Sequence, residues 1–300
     1  MTGSYTTHAL KSVGVTSARA SATAAPPVDA SSSRAANEPP TPGPLCALLR
    51  QLSPYCFCLQ PAPMRSLPHL DVSSKAVLLI RHGQAQHNPR SDPQWIARTM
   101  LYRDSTLTPT GVQQAEAARE RLDATGWIEH LEAVLVSPMT RAVHTTQLIF
   151  GERPAPPRRL WPMLTERAWF VCDRGSPKEE LARNQPYVTR APWTGLDELE
   201  RIWWPTEIEL EEQLAVRVTA VKAALLERTE RVLALVGHGA FFRTLIGGVK
   251  LPNATPRWAE LRADGTLVLR PEWDACRSWG ELERLAGRAA VSDSARALLL

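Results

Sequence analysis

Cysteine is scarce and scattered: the 300 residues hold five, Cys46, Cys56, Cys58, Cys172 and Cys276. An odd, dispersed set in a long chain argues against a disulfide framework and for a reducing compartment. The spacing of Cys56 and Cys58 is too tight for the usual zinc pairing, so no metal is expected there. Long apolar runs are also missing. None approaches the roughly eighteen residues needed to span a bilayer, and no membrane partner is expected. An excess of one charge is lacking as well. The formal net charge is +4, but residues up to 70 carry five Lys/Arg against two Asp/Glu, which leaves only +1 for the remainder. A nucleic-acid-binding face is therefore not indicated.

What is present divides near residue 70. Residues 1–70 are rich in Ala, Ser, Thr and Pro, show no sustained period, and have too little apolar surface to offset the entropy of ordering. They read as a disordered extension. No acidic residue precedes Asp29, while Lys11 and Arg19 sit among Ser, Thr and Ala. That composition fits an organelle transit segment, plastid or mitochondrial, and equally a non-targeting extension of a cytoplasmic protein. The stretch LCALLRQLSPYCFCL, 45–59, offers at most a brief amphipathic helix.

From Lys75 the pattern changes to alternating strands and helices. AVLLI (76–80) is a continuous aliphatic run ending at Arg81. LTPTGVQQAEAARERLDATG follows as a helix, with Thr108 as N-cap, Pro109 at its first position and Gly126 as its stop. EAVLVS (132–137) is a second strand, and PMTRAVHTTQLIF a helix opened by Pro138 and closed by Gly151. The stretch 207–230 places Leu210, Leu214, Val218, Val221 and Leu225 on one helical face. RVLALVGHG (231–239) is a third strand, AFFRTLIGG a short helix, and 257–271 a hairpin around Asp264 and Gly265. Continuous aliphatic strands separated by helices predict an α/β fold, a three-layer α/β/α sandwich with a mostly parallel sheet. The residues after Arg270, 271–300, read as one peripheral helix and a frayed tail.

In such a sheet, ligands bind beyond the carboxyl ends of the strands. Arg81 and His82 stand at one such end, Ser137 and Arg141 follow another, and His238 ends a third. Two arginines and two histidines gathered at one edge repel one another unless an anion sits among them, and guanidinium forks fit a phosphate. Arg141 in the first turn of a helix opposes the helix dipole, which a purely structural role does not explain. Gly83 and Gly239, each after a histidine, are expected to let the backbone turn sharply and approach a ligand. Asn88 either supports this pocket or closes the loop before Pro89.

RHG after the first strand, the LTPTGVQQA helix, SPMTRAVHTT after the second strand, LTER in the middle and GHG late in the chain together resemble the histidine phosphatase superfamily, in its phosphoglycerate-mutase-like branch. The resemblance covers about Lys75 to Leu269. It implies a 75–270 catalytic domain that transfers phosphoryl groups through a phosphohistidine, with no metal and no cofactor. Carried onto this chain, His82 is the nucleophile. Arg81, Arg141 and His238 hold the phosphate oxygens, Asn88 supports the pocket, and Glu166 of LTER is the acid and base. Asp173, Glu198 and Glu200 compete with Glu166 for that last role.

The segment 167–206 is expected as an insertion that caps the pocket and selects the substrate. Trp169, Phe170, Arg174, Trp203 and Trp204 either grip the substrate or form the core of that cap. Phosphoglycerate mutases usually follow RHG with Glu-Ser and a Trp-Asn pair, whereas this chain has Gln84, Ala85, His87 and Asn88. The resemblance therefore implies a phosphomonoesterase acting on a small phosphorylated metabolite or a phosphopeptide. A mutase and a non-catalytic phosphate-binding protein are the alternatives.

Overall fold

In the computed structural model, which describes residues 74–89 and 91–286, a seven-stranded sheet lies between two layers of helices. The strands are β1 (Lys75–Arg81), β2 (Ala133–Val136), β3 (Arg158–Leu160), β4 (Trp193–Thr194), β5 (Val232–Gly237), β6 (Arg257–Leu261) and β7 (Leu267–Leu269). The longer helices are α1 (Trp95–Leu101), α2 (Pro109–Thr125), α3 (Thr140–Phe150), α4 (Lys178–Asn184), α5 (Glu211–Glu227) and α6 (Gly239–Leu245); a single turn, α7, spans Pro271–Asp274. The strand order is β4-β3-β2-β5-β1-β6-β7. Pairing is parallel from β4 through β1, and antiparallel where β6 meets β1 and β7.

Because successive strand residues point to opposite faces, the aliphatic runs feed two cores. Ala76, Leu78, Ile80, Val134, Val136, Ala234 and Val236 pack on one side with Leu122 of α2 and Val143, Ile149 and Phe150 of α3. Val77, Leu79, Leu135, Leu233 and Leu235 pack on the other with Val218, Val221 and Leu225 of α5 and Phe241 and Phe242 of α6. This is the three-layer sandwich expected from strands buried on both faces. α2 begins and ends where its sequence signals lie: the Thr108 side chain accepts the Gly111 N–H, and Gly126 closes the helix at φ 65°. α3 starts later than Pro138, at Thr140, with Met139 as N-cap. The carboxylate of Asp104 stands in for a capping side chain there, accepting the Thr140 N–H at 2.9 Å and its hydroxyl at 2.7 Å.

In the segment 167–206, β4 extends the central sheet, and Leu181, Val188, Trp193, Leu199 and Trp203 join the α2/α3-side core. Residues 271–286, expected as a peripheral helix, instead pack into that core. Trp273 is fully buried, and Cys276 and Leu282 lie in the same core. The Asp274 carboxylate accepts the Trp258 N–H at 2.7 Å and pairs with Arg257, which fastens α7 to β6. Residues 1–73 and 287–300, with the transit-like segment, the 45–59 stretch and the frayed tail, lie outside the described residues. Among the described residues no helix is long and apolar enough to cross a membrane.

Candidate active site

The sheet register brings the motifs together. Arg81 is the β1 partner of Gly237, and Val136 of β2 is the partner of Val236. Of three adjacent parallel strands, β2-β5-β1, the last two therefore end level and β2 ends one residue earlier. The next residues are Ser137, His238 and His82, with His238 in the middle. The main chain stays in register one step further: the N–H of His82 donates to the Gly237 carbonyl at 2.9 Å, and that of Ser137 to the Val236 carbonyl at 3.0 Å. The rings of His82 and His238 stand 5.1 Å apart. His82 is 1% exposed, and His238 and Arg141 are fully buried.

A hydrogen bond assigns the ring proton of His82. Nδ1 of His82 lies 2.7 Å from the Gly83 carbonyl. A carbonyl only accepts, so Nδ1 carries the hydrogen and Nε2 keeps its lone pair. On His238, Nε2 is 2.7 Å from the Ser137 hydroxyl. That oxygen already accepts the Met139 N–H. The other ring nitrogen, Nδ1, is buried without a hydrogen-bond partner. It is a buried polar atom that a ligand can satisfy.

The electrostatics favour an anion. Burial first, then Arg141, His87 and Arg81, hold the His82 ring well below the usual imidazole value. Burial and then Arg141 do the same to His238. Both rings are therefore neutral, and the surrounding positive charge belongs to the guanidiniums. Arg141 donates Nη1–H to the Cys172 carbonyl at 2.8 Å, while its Nε and Nη2 are buried with no hydrogen-bond partner. Arg81 is held by a bond from Nη1 to the Leu251 carbonyl at 3.0 Å.

Glu166 follows the short helical turn Pro162–Leu164 and reaches α6. Its Oε1 accepts the N–H groups of Ala240, Phe241 and Arg167, each at 3.0 Å, and its Oε2 accepts only that of Ala240, at 3.1 Å. The carboxylate is thus fixed two residues from His238 with one oxygen less committed. Asn88 is turned on its own loop: Oδ1 accepts the Ala85 N–H at 2.8 Å. It closes the bend after RHG, and the bond leaves its amide N–H groups uncommitted. Of the other carboxylates, Glu198 pairs with Arg159, whereas Asp173 lies against Arg141.

The two glycines after the histidines serve a different purpose from the one expected. A Cβ on Gly83 would stand 2.4 Å from the Gly111 carbonyl oxygen, and one on Gly239 would stand 3.1 Å from Nε of Arg81. They make room for a neighbouring main chain and for the guanidinium. Trp203 is likewise core: its ring lies where a Cβ on Gly175 would be, and Nε1–H donates to the Ser176 carbonyl at 2.9 Å. Trp169 and Phe170 remain exposed at the surface, with Arg167 over the Trp169 ring.

Sequence reasoning assigned no role to three contributors. His87 stands 6.0 Å from the His82 ring, bonded through Nδ1 to the Ser105 hydroxyl at 2.6 Å. Burial and then Arg141 and Arg81 push it down to about 2. Its place five residues after His82, in a bend closed by Asn88, was the available signal. Asn253 donates to the His82 carbonyl at 2.8 Å, and Thr145 accepts the Gly83 N–H at 3.0 Å. Both are distant in sequence and carry no local signal.

The profile of the histidine phosphatase superfamily (branch 1) matches residues 77–278. A mannitol-1-phosphatase of Eimeria tenella is 36% identical over 112 residues, 37% of this chain and 35% of its own. A phosphoglycerate mutase-like protein of Arabidopsis thaliana is 26% identical over 201 residues, 57% of this chain and 73% of its own. Among solved structures, an alpha-ribazole phosphatase of Shigella flexneri aligns with 22% identity over 65% of this chain and 94% of its own, at a TM-score of 0.43. The matched segment thus spans about a third of the first relative and about three quarters of the second. With the profile running through every motif at the sheet edge, the chain belongs to the histidine phosphatase superfamily, branch 1.

Proposed function

We propose that this chain hydrolyses phosphate monoesters without a metal ion, through a phosphohistidine formed on His82. The observation that carries the reading is the protonation pattern of the pocket. The Nδ1–H of His82 is engaged by the Gly83 carbonyl, so Nε2 keeps its lone pair beside Arg141, which holds unused donors, and His238, whose Nδ1 has no partner.

In the first step Nε2 attacks phosphorus in line, the bond to the ester oxygen breaks, and Glu166 in its acid form gives that oxygen a proton. Arg81, Arg141 and His238 hold the equatorial oxygens and offset the charge spread over them. Asn88 supports the pocket by fixing the bend that follows the nucleophile. In the second step water attacks phosphorus, the P–N bond breaks, and Glu166 takes the proton from water. Each turnover restores both residues. The guanidiniums supply the positive charge that a metal supplies elsewhere. The substrate is a small phosphorylated metabolite or a phosphopeptide, with its leaving group against the surface that carries Trp169 and Phe170.

The test is release of inorganic phosphate from an aryl phosphate in excess chelator. Activity is expected, and His82→Ala is expected to reduce it by a factor on the order of 10³ or more. Activity lost with chelator and restored by a divalent ion contradicts the reading.

A further inference from the structure

Asp173 enters the site from the 167–206 segment, and no step above uses it. It is 5% exposed, and its two oxygens are held differently. Oδ2 accepts the N–H groups of Phe170 at 2.9 Å and Trp169 at 3.3 Å, which ties it to its own turn. Oδ1 stands 3.6 Å from Nη2 of Arg141, near enough for Coulomb attraction and too far for a hydrogen bond. Arg141 has committed one N–H to this same turn, from Nη1 to the Cys172 carbonyl. Its Nε and Nη2, the edge of a guanidinium that grips an oxyanion bidentately, have no hydrogen-bond partner. The turn aims the arginine with a carbonyl and a charge, and leaves its working edge open.

We propose, on the basis of the phosphatase reading above, that Asp173 is a positioning residue acting through Arg141: a stand-off counter-ion that aims the guanidinium and, by repelling the bound anion, keeps product phosphate from being retained. Two main-chain N–H groups restrain the carboxylate from moving in to close the arginine's edge. The other charge facing it is Glu166. Burial, with Glu166 adding to it and Arg141 opposing, pushes the Asp173 carboxyl up to about 6. It is mainly ionised at pH 7.5, so the repulsion operates there. The adjacent Cys172 thiol, pushed up to about 12 by burial and then by Asp173, is neutral and adds no competing charge.

The probe is sulfate, a dianion throughout the useful pH range, measured as an inhibitor of the full-length enzyme at pH 7.5. Asp173→Asn keeps an oxygen for the two N–H groups and removes the charge. The inhibition constant is expected to fall on the order of ten-fold, with KM falling alongside it and kcat falling as phosphate release slows. Loss of a merely structural residue moves the constant the other way, because a loosened turn lets Arg141 drift. Asp173→Ser, a second neutral acceptor, is expected to shift sulfate in the same direction as Asp173→Asn. In an Arg141→Gln background Asp173→Asn is expected to shift sulfate in the same direction but by less, because only the direct repulsion of the anion remains and not the setting of the guanidinium. Sulfate inhibition unchanged or weakened in both neutral variants overturns the proposal, as does failure of both to fold by circular dichroism, which assigns Asp173 to the core. If the unaltered enzyme ignores sulfate, the anion pocket itself is wrong and this proposal goes with it.

Discussion

Gly83 and Gly111 meet main chain to main chain. A Cβ on Gly83 would lie 2.4 Å from the Gly111 carbonyl oxygen, and one on Gly111 would lie 2.1 Å from the Gln84 carbonyl oxygen. Backbone atoms cannot move aside as a flexible side chain does. The start of α2 and the turn carrying His82 are therefore fixed against each other, and the Thr108 N–H donating to the Gln84 carbonyl at 2.9 Å fastens the same joint. Gly111→Ala is expected to cost about 1–3 kcal/mol in urea unfolding and to lower kcat by displacing His82, although Gly111 touches no phosphate. Unfolding and kcat indistinguishable from those of the unaltered enzyme contradict this joint.

The buried imidazoles make a pH prediction. His82 and His238 are held well below the usual value, and His87 at about 2, in each case chiefly by burial. Their ring resonances are expected not to titrate between pH 8 and pH 5; a midpoint near 6.5 for any of them rules out the neutral pocket. In the unfolded chain all three take up protons below about 6.5, while the folded chain does not. Stability from this source is full above pH 6.5. It is lost as pH falls below that value, by about 1.4 kcal/mol per pH unit for each ring. Asp173, whose value is raised to about 6, opposes this trend below pH 6.

Glu166→Gln separates proton transfer from architecture. The amide oxygen can still accept the N–H groups of Ala240 and Phe241, so the fold is expected to hold while both proton transfers are lost. For an alkyl phosphate kcat is expected to fall by about 10² to 10⁴. An aryl phosphate, whose leaving group needs little help, is expected to phosphorylate the enzyme at a nearly normal rate and leave the phosphoenzyme accumulated. Equal losses of the phosphorylation rate for both substrates argue against Glu166 as the acid.

The tryptophans of the 167–206 segment divide by role. Trp203 is 5% exposed and fills the space beside Gly175, whereas Trp169 is 48% exposed. Trp203→Ala is expected to cost about 3–5 kcal/mol of stability. Trp169→Ala is expected to leave the melting temperature unchanged and to alter KM. The reverse pattern in a paired thermal melt and kinetic comparison removes Trp169 from the substrate surface.

The contrast between these residues shows what could be read from the chain alone. AVLLI and RVLALVG announce strands because both faces of each are buried, and Thr108, Pro109 and Gly126 announce the helix between β1 and β2. β3 and β4, three and two residues long, carry no period. β3 moreover contains Arg158, fully buried with its two Nη groups donating to the Phe150 and Arg153 carbonyls, which polarity alone reads as surface. α1 buries only Thr99 and leaves Ile96, Met100 and Leu101 exposed, so it lacks an apolar stripe. In the site, parallel strands sharing one carboxyl edge made the convergence of His82, Arg141 and His238 legible. The glycine roles were not, because what a missing Cβ makes room for depends on partners far along the chain: Gly111 for Gly83 and Arg81 for Gly239. The pairing of Asp173 with Arg141 and the bond from Asn253 to His82 depend likewise on tertiary contact.

The central claim is that His82 carries the phosphoryl group on Nε2. Rapid quenching of the enzyme with substrate under alkaline conditions, where phosphohistidine survives, followed by fragment mass spectrometry, tests it directly. An acid-labile phosphate is expected on the peptide containing His82, accumulating in Glu166→Gln and absent from His82→Ala. Steady turnover with no phosphorylated peptide in Glu166→Gln, or a label on another side chain, contradicts it.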